Sequence, residues 1–150
     1  MHDKNNLIQV GIIVVAHADY GSAILRTVDF ILGQQGDCCS ISVDVALDVN
    51  DTVARLTDAV ERLDKGKGVV ILTDMFGGTP TNLALSLLQT HNIEVVTGVN
   101  LPMLLKAFTS RDKSLDALAR EAAEAGKSGI VVAGAMLHKK QSETGQTESC

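Results

Sequence analysis

The chain alternates between short, continuous apolar runs and longer segments whose apolar residues recur every three or four positions. Continuous runs suit strands buried on both faces and the longer spacing suits helices that cover them, so the alternation predicts a parallel sheet with helical crossovers. Residues 7–16 form the first expected strand. Ser22 to Leu32 then carries Ile24, Leu25, Val28, Ile31 and Leu32 at helical spacing, and Gly33 and Gly36 end that helix. A second strand is expected from Cys39 to Leu47, followed by a helix from Asp51 to Leu63 with Asp51 as its candidate cap. Gly66 and Gly68 bring the chain into a third strand that ends at Asp74. Pro80 suits the first turn of a helix capped by Thr79 and running through Leu83, Leu87 and Leu88, and Glu94 to Gly98 reads as the fourth strand. Pro102 opens another short helix, and Leu115 to Ala125 forms an Ala-rich one. Gly129 to Ala133 is a short apolar run fit for an edge strand, and from about His138 the composition predicts a polar, disordered tail.

With 150 residues and 45% apolar content the chain is sized for one domain with a sizeable core. A net charge of −5 without any dense Lys/Arg block argues against a nucleic-acid partner and against membrane-surface binding. The N-terminal stretch lacks the pattern of a leader peptide and no apolar run is long enough to span a bilayer, so a cytoplasmic protein without membrane insertion is expected. Cys38 and Cys39 are adjacent and Cys150 lies in the polar tail, which matches neither a disulfide framework nor a metal-ligand spacing. Neither a metal nor a cofactor is expected.

Two segments carry chemistry. Val10-Gly-Ile-Ile-Val-Val-Ala-His17 delivers a histidine to the carboxyl end of a buried strand, and Gly68-Val-Val-Ile-Leu-Thr-Asp74 opens into Met75-Phe-Gly-Gly-Thr-Pro-Thr-Asn82. Open α/β sheets place their ligands at such strand ends. A neutral imidazole is a nucleophile, and with a free pKa near ~6.5 most of it is neutral at cytoplasmic pH. A carboxylate holding one ring N–H would set the tautomer, aim the other nitrogen outward and offset the charge that develops during attack. Asp74 is the candidate for that role. Gly77 and Gly78 allow backbone N–H groups to approach an anion, and the following helix adds its free amides. The Thr79 hydroxyl has two readings, a phosphoryl contact or a helix cap.

The histidine, the Asp74-to-Asn82 segment and Gly98-Val-Asn-Leu-Pro-Met-Leu104 occur in an order and spacing that resembles the IIA component of the mannose family of bacterial phosphoenolpyruvate-dependent sugar phosphotransferase systems. The resemblance covers roughly Ile8 to Val132. It implies an open, mostly parallel four-stranded sheet covered by helices on both faces, with an antiparallel edge strand, here Gly129 to Ala133, exchanged in a homodimer. Residues 1–137 would form the phosphocarrier domain and 138–150 the tail. It further implies that His17 takes a phosphoryl group from phospho-HPr and passes it to a IIB component on a separate polypeptide. The same sheet order would make the strands of His17 and Asp74 neighbours. A carboxylate on Nδ1 would leave Nε2 as the nucleophile.

The segment after the histidine departs from that pattern, since the next residue is commonly glycine in the family and here Ala18-Asp19-Tyr20 precedes Gly21. Asp19 adds negative charge where a phosphoryl group would arrive, and Lys106 and Arg111 are candidates to offset it or ordinary surface residues. Asn100 and Pro102 are candidates for the site wall or for a turn, Met103 and Phe108 for packing, and His2, His91 and His138 for the surface. Two other readings stay open: a regulatory protein whose partner binding is switched by phosphorylation of the same histidine, and a small-ligand or nucleotide-binding α/β module. The second lacks both common glycine-rich nucleotide loops.

Overall fold

In the computed structural model, Gly11–His17 forms a strand, β1, that is buried from Gly11 to Ala16, where every residue is small or apolar, and emerges at His17. The structure describes residues 7–44 and 46–147, so His2, Val45 of the expected second strand and Cys150 lie outside the described residues. Strands β2 (Cys38–Val43), β3 (Val69–Thr73) and β4 (Ile93–Thr97) join β1 in one parallel sheet of order β2-β1-β3-β4. The intervening helices are α1 (Tyr20–Leu32), α2 (Val49–Leu63) and α3 (Thr79–Leu85), and α4 (Leu101–Thr109), α5 (Leu115–Ser128) and α6 (Ala133–Thr147) follow the last strand.

Alternation along β1 divides the core into two layers. Val10, Ile12, Val14 and Ala16 pack with Val28 of α1, Leu104 and Phe108 of α4, and Leu118 and Ala122 of α5. Ile13 and Val15 pack with Leu56, Val60 and Leu63 of α2 and with Leu83 and Ala84 of α3. Helices therefore cover both faces, as expected. The chain runs outward from β1 to β2 on one side and returns to β3 on the other, so the carboxyl ends of β1 and β3 flank the point where strand order reverses. That is the crevice where open sheets bind ligands.

Several boundaries differ from the sequence reading. Helix α2 starts earlier than expected, because the Asp48 carboxylate accepts the amide of Asn50 at 2.9 Å and caps it, rather than Asp51. Helix α3 stops at Leu85 and is entered from Gly78, which takes the extended cap conformation, so Thr79 is its first helical residue and not its cap. The expected edge strand at Gly129–Ala133 is absent among the described residues. A strand exists only by pairing, and Ile130, Val131 and Val132 follow α5 unpaired, with 77%, 51% and 74% of their surface exposed. The polar stretch expected to be disordered is instead helical from Ala133 to Thr147. Its Ala, Met, Leu, Lys, Gln and Glu residues are good helix formers, and a helix satisfies its own backbone where a lone strand cannot.

Arg111 was a candidate for charge near the histidine, and the structure places it elsewhere. It is 3% exposed and donates from Nε to the carbonyl of Val10 and from its two terminal nitrogens to those of Gly36 and Asp37, each at 2.8 Å. Its guanidinium also lies 5.4 Å from the Phe108 ring centroid. This clamp grips the amino end of β1, roughly 20 Å along the strand from His17 at ~3.3 Å per residue. Lys106 is a solvent-exposed residue of α4. Replacing Arg111 with leucine removes all three bonds, taking this donor from the Val10 and Gly36 carbonyls while Asp37 keeps the amide of Ile12 at 3.2 Å, and is expected to cost about 3 kcal/mol in urea unfolding; a loss below ~1 kcal/mol would show that the clamp is dispensable.

Candidate active site at the switch point of the sheet

Register determines what the two strands deliver. Val15 pairs with Thr73 across β1 and β3, which leaves His17 as the last residue of β1 and Asp74 just beyond β3, side by side at the carboxyl edge. Asp74 Oδ2 accepts the backbone N–H of His17 at 2.9 Å and lies 2.6 Å from its ring Nδ1. Asp74 Oδ1 accepts the amide of Met75 at 2.9 Å. Burial of this carboxyl raises its pKa, but the His17 amide, the His17 ring and the Met75 amide prevail and hold it below its ordinary value. An ionised carboxylate only accepts, so Nδ1 is the nitrogen that carries a proton toward it. The His17 side chain is 46% exposed and that of Asp74 only 16%. The carboxylate is thus sheltered while the ring is open to solvent.

The loop after Asp74 wraps one side of the ring. Gly77 turns it with a φ of +81°, a conformation that glycine adopts without strain. Gly78 lies against the histidine, close enough that a methyl group there would sit 3.6 Å from Cε1. The loop is braced from beneath by two threonines that the sequence reading passed over. The Thr81 hydroxyl donates to the carbonyl of Met75 at 2.7 Å and receives the hydroxyl of Thr73, also at 2.7 Å, with both residues buried. Their signal was the residue type, since threonine at an apolar position needs a partner inside. The Thr79 hydroxyl caps nothing and lines a cleft of about 160 Å³ with His17, Asp44, Leu47 and Thr52.

Ala18, Ser42, Val43 and Asp44 line a second cleft beside His17, about 320 Å³ in volume. No lysine or arginine lines either cleft among the described residues, whereas Asp44 lines both. Arg55 lines an adjoining cleft that shares Ala18 and Ser42 but does not contain His17. The remaining candidates are structural. Asn100 caps α4 by accepting the amide of Met103 at 3.0 Å and donates to the carbonyl of Gly126 at 3.0 Å, and Met103 and Phe108 are core residues. His138 is exposed, while His91 is partly covered and lies 3.6 Å from Glu61. Cys38 and Cys39 are free, and burial pushes both thiols up, away from the reactive thiolate.

The profile of a family described as PTS system fructose IIA component, EIIA-man, matches residues 11–123, a span that contains both strand ends and the loop between Asp74 and Thr79. The chain belongs to this family. It is a mannose-family IIA component of a sugar phosphotransferase system. Among its relatives, the mannose-specific EIIAB component of Escherichia coli strain K12 is 30% identical over 124 residues, which are 81% of this chain and 38% of that protein. The chain thus spans well under half the length of that relative. The sorbose-specific EIIA component of Lacticaseibacillus casei is 32% identical over 96 residues, 63% of this chain and 69% of that protein. A crystal structure of phosphotransferase system component EIIA from Streptococcus agalactiae superposes with a TM-score of 0.75 at 33% identity, covering 84% of this chain and 98% of that one.

The lowered pKa of Asp74 sets a pH dependence for this IIA component. A carboxyl that ionises more readily when folded adds stability that is complete above its unfolded value near ~3.9 and is withdrawn as pH falls through the lower folded value. The wild type should therefore exceed Asp74→Asn in urea stability by most above about pH 5, with the gap narrowing toward about pH 2. A gap that stays constant over that range would refute the assignment.

Proposed function

We propose that this IIA component is a phosphocarrier that accepts a phosphoryl group from phospho-HPr on Nε2 of His17 and hands it to a IIB component, in the cytoplasm. The observation that carries the reading is the convergence of the backbone and ring nitrogens of His17 on one ionised carboxylate oxygen. In the accepting step the Nε2 lone pair forms a bond to phosphorus as the donor's nitrogen–phosphorus bond breaks, and the Nδ1 proton stays on the hydrogen bond to Asp74. The carboxylate offsets the positive charge the ring acquires. Gly77, Gly78 and Thr79 would serve the phosphoryl oxygens, with the unoccupied Thr79 hydroxyl and the backbone beside Gly78 as donors. Binding by neutral donors without a flanking cation suits a group that must leave again. No helix among the described residues is long and apolar enough to cross a membrane.

The same reading includes a homodimer in which residues 129–133 of a second copy extend the sheet. Strand β4 is an open edge, flanked by a groove of about 490 Å³ lined by Phe76 and by Glu94 to Thr97, and the unpaired Ile130 to Val132 are the apolar segment available to fill it. Pairing would hide both an exposed edge and an exposed apolar run.

Incubation with phosphoenolpyruvate, enzyme I and HPr should add one acid-labile phosphate by intact mass, absent in His17→Ala and formed about 100-fold more slowly in Asp74→Asn. An acid-stable product, or one retained without His17, would overturn the phosphocarrier reading. Sedimentation should show a dimer that Val131→Lys converts to monomer, whereas an unchanged sedimentation coefficient would exclude the exchanged strand.

A further inference from the structure

Ala18 and Asp37 are the two non-glycine residues with positive φ among those described, each at +50°, and Ala18 directly follows the histidine. A two-residue turn from β1 into α1 demands the left-handed conformation there, which alanine holds only against steric resistance. Contacts converge on this turn. Ser42 of β2 donates its hydroxyl to the carbonyl of Ala18 at 2.6 Å. Tyr20, the first residue of α1, donates its phenol to the carbonyl of Val99 at 2.6 Å. The amides of Gly98 and Val99 in turn donate to the carbonyl of Thr73 at 2.9 Å each. Thr73 precedes Asp74, which holds His17 by its amide and its ring. The contacts form a closed circuit from histidine to carboxylate through the turn, the phenol and the end of β3.

We propose that Ser42 and Tyr20 are positioning residues that keep Ala18 left-handed and thereby hold the His17 ring in register with Asp74, with Nε2 aimed outward. The proposal rests on the reading of His17 as the phosphorylated residue for its functional consequence, but the ring orientation it describes exists without phosphate. If Ala18 relaxed to a negative φ, its carbonyl would swing away from Ser42 and the start of α1 would shift, carrying Tyr20 off Val99. The ring would then lose the fixed backbone from which it reaches Oδ2. Neither hydroxyl is hydrogen-bonded to the ring; Ser42 lines the cleft beside His17 but donates to the Ala18 carbonyl, and Tyr20 donates to that of Val99, so both act through the turn. Glycine at position 18 adopts the same φ unaided, which supplies an internal control.

The test uses the full chain with Ser42→Ala, Ser42→Thr, Tyr20→Phe, Ala18→Gly and the double variant Ser42→Ala with Ala18→Gly. Ring nitrogen NMR of the unphosphorylated protein should show one His17 tautomer, protonated at Nδ1, in the wild type, Ser42→Thr and Ala18→Gly, and a mixture in Ser42→Ala and Tyr20→Phe. Phosphoryl transfer from phospho-HPr should fall about tenfold in kcat with KM nearly unchanged for Ser42→Ala and Tyr20→Phe, short of the ~100-fold that a full 1 Å misplacement can cost. Glycine at position 18 should bring the Ser42→Ala rate back to within about twofold of Ala18→Gly alone. A single wild-type tautomer with a wild-type rate in both Ser42→Ala and Tyr20→Phe would overturn the proposal, as would failure of glycine to restore the rate. Thermal midpoints measured alongside separate a general loss of stability, which would leave the tautomer intact, from positioning. Should the wild type take no phosphate, the phosphocarrier reading fails while the tautomer measurement still decides whether Ser42 and Tyr20 position the ring.

Discussion

Asp74 Oδ2 takes two hydrogen bonds from a single residue, one from the backbone and one from the ring of His17, and this shared oxygen organises the carboxyl edge of the sheet. A side chain held only at its tip keeps rotational freedom about its stem, whereas a second bond at the backbone of the same residue removes it. The arrangement requires β1 and β3 to be neighbours and to set His17 one position beyond Asp74, which the pairing of Val15 with Thr73 provides. Slippage by one position would turn the histidine toward the opposite face. The hydrophobic layers that lock the register are therefore as much a part of the site as its polar atoms. Ile12 and Val14 on one side and Ile13 and Val15 on the other are all fully buried.

The two ends of β1 divide the work. At the amino end the guanidinium of Arg111 joins the start of the strand to the turn before β2, in a buried, fully partnered setting. At the carboxyl end, polar groups are left incompletely partnered and open to solvent, among them Nε2 of His17 and the Thr79 hydroxyl. Parallel sheets favour this polarity, since every strand points its carboxyl end to the same side. The structural clamp lies at one end and the candidate site at the other.

The strands were legible because buried parallel strands read as continuous apolar runs, and His17 and Asp74 stood out as the polar residues that end them. Helix ends were less legible. Asp48 and Asp51 are equally good caps by residue type, and only the backbone conformation selects the first. Thr79 before proline reads as a cap, yet the extended conformation falls on Gly78 and frees the hydroxyl. Arg111 was misplaced because a charged residue late in a polar turn looks solvated, and nothing in its neighbours reveals the three carbonyls waiting at distant positions 10, 36 and 37. Gly129 to Ala133 has the composition of a strand, but composition cannot supply the neighbour that a strand requires. Tyr20, one of the residues that depart from the family pattern after the histidine, reaches with its phenol across to the turn after β4.

The half-exposed histidine ring carries a further consequence under the proposed reading. A phosphorus–nitrogen bond standing in open solvent is vulnerable to hydrolysis, and with nearly half of its surface exposed the ring has no cover of its own against that leak. The chain supplies aim, and dryness must come from whichever protein docks over the opening, where the exposed Leu47 lines the cleft beside the ring. Efficiency then becomes a matter of timing: the shorter the interval between one docking and the next, the smaller the fraction of phosphate lost to water.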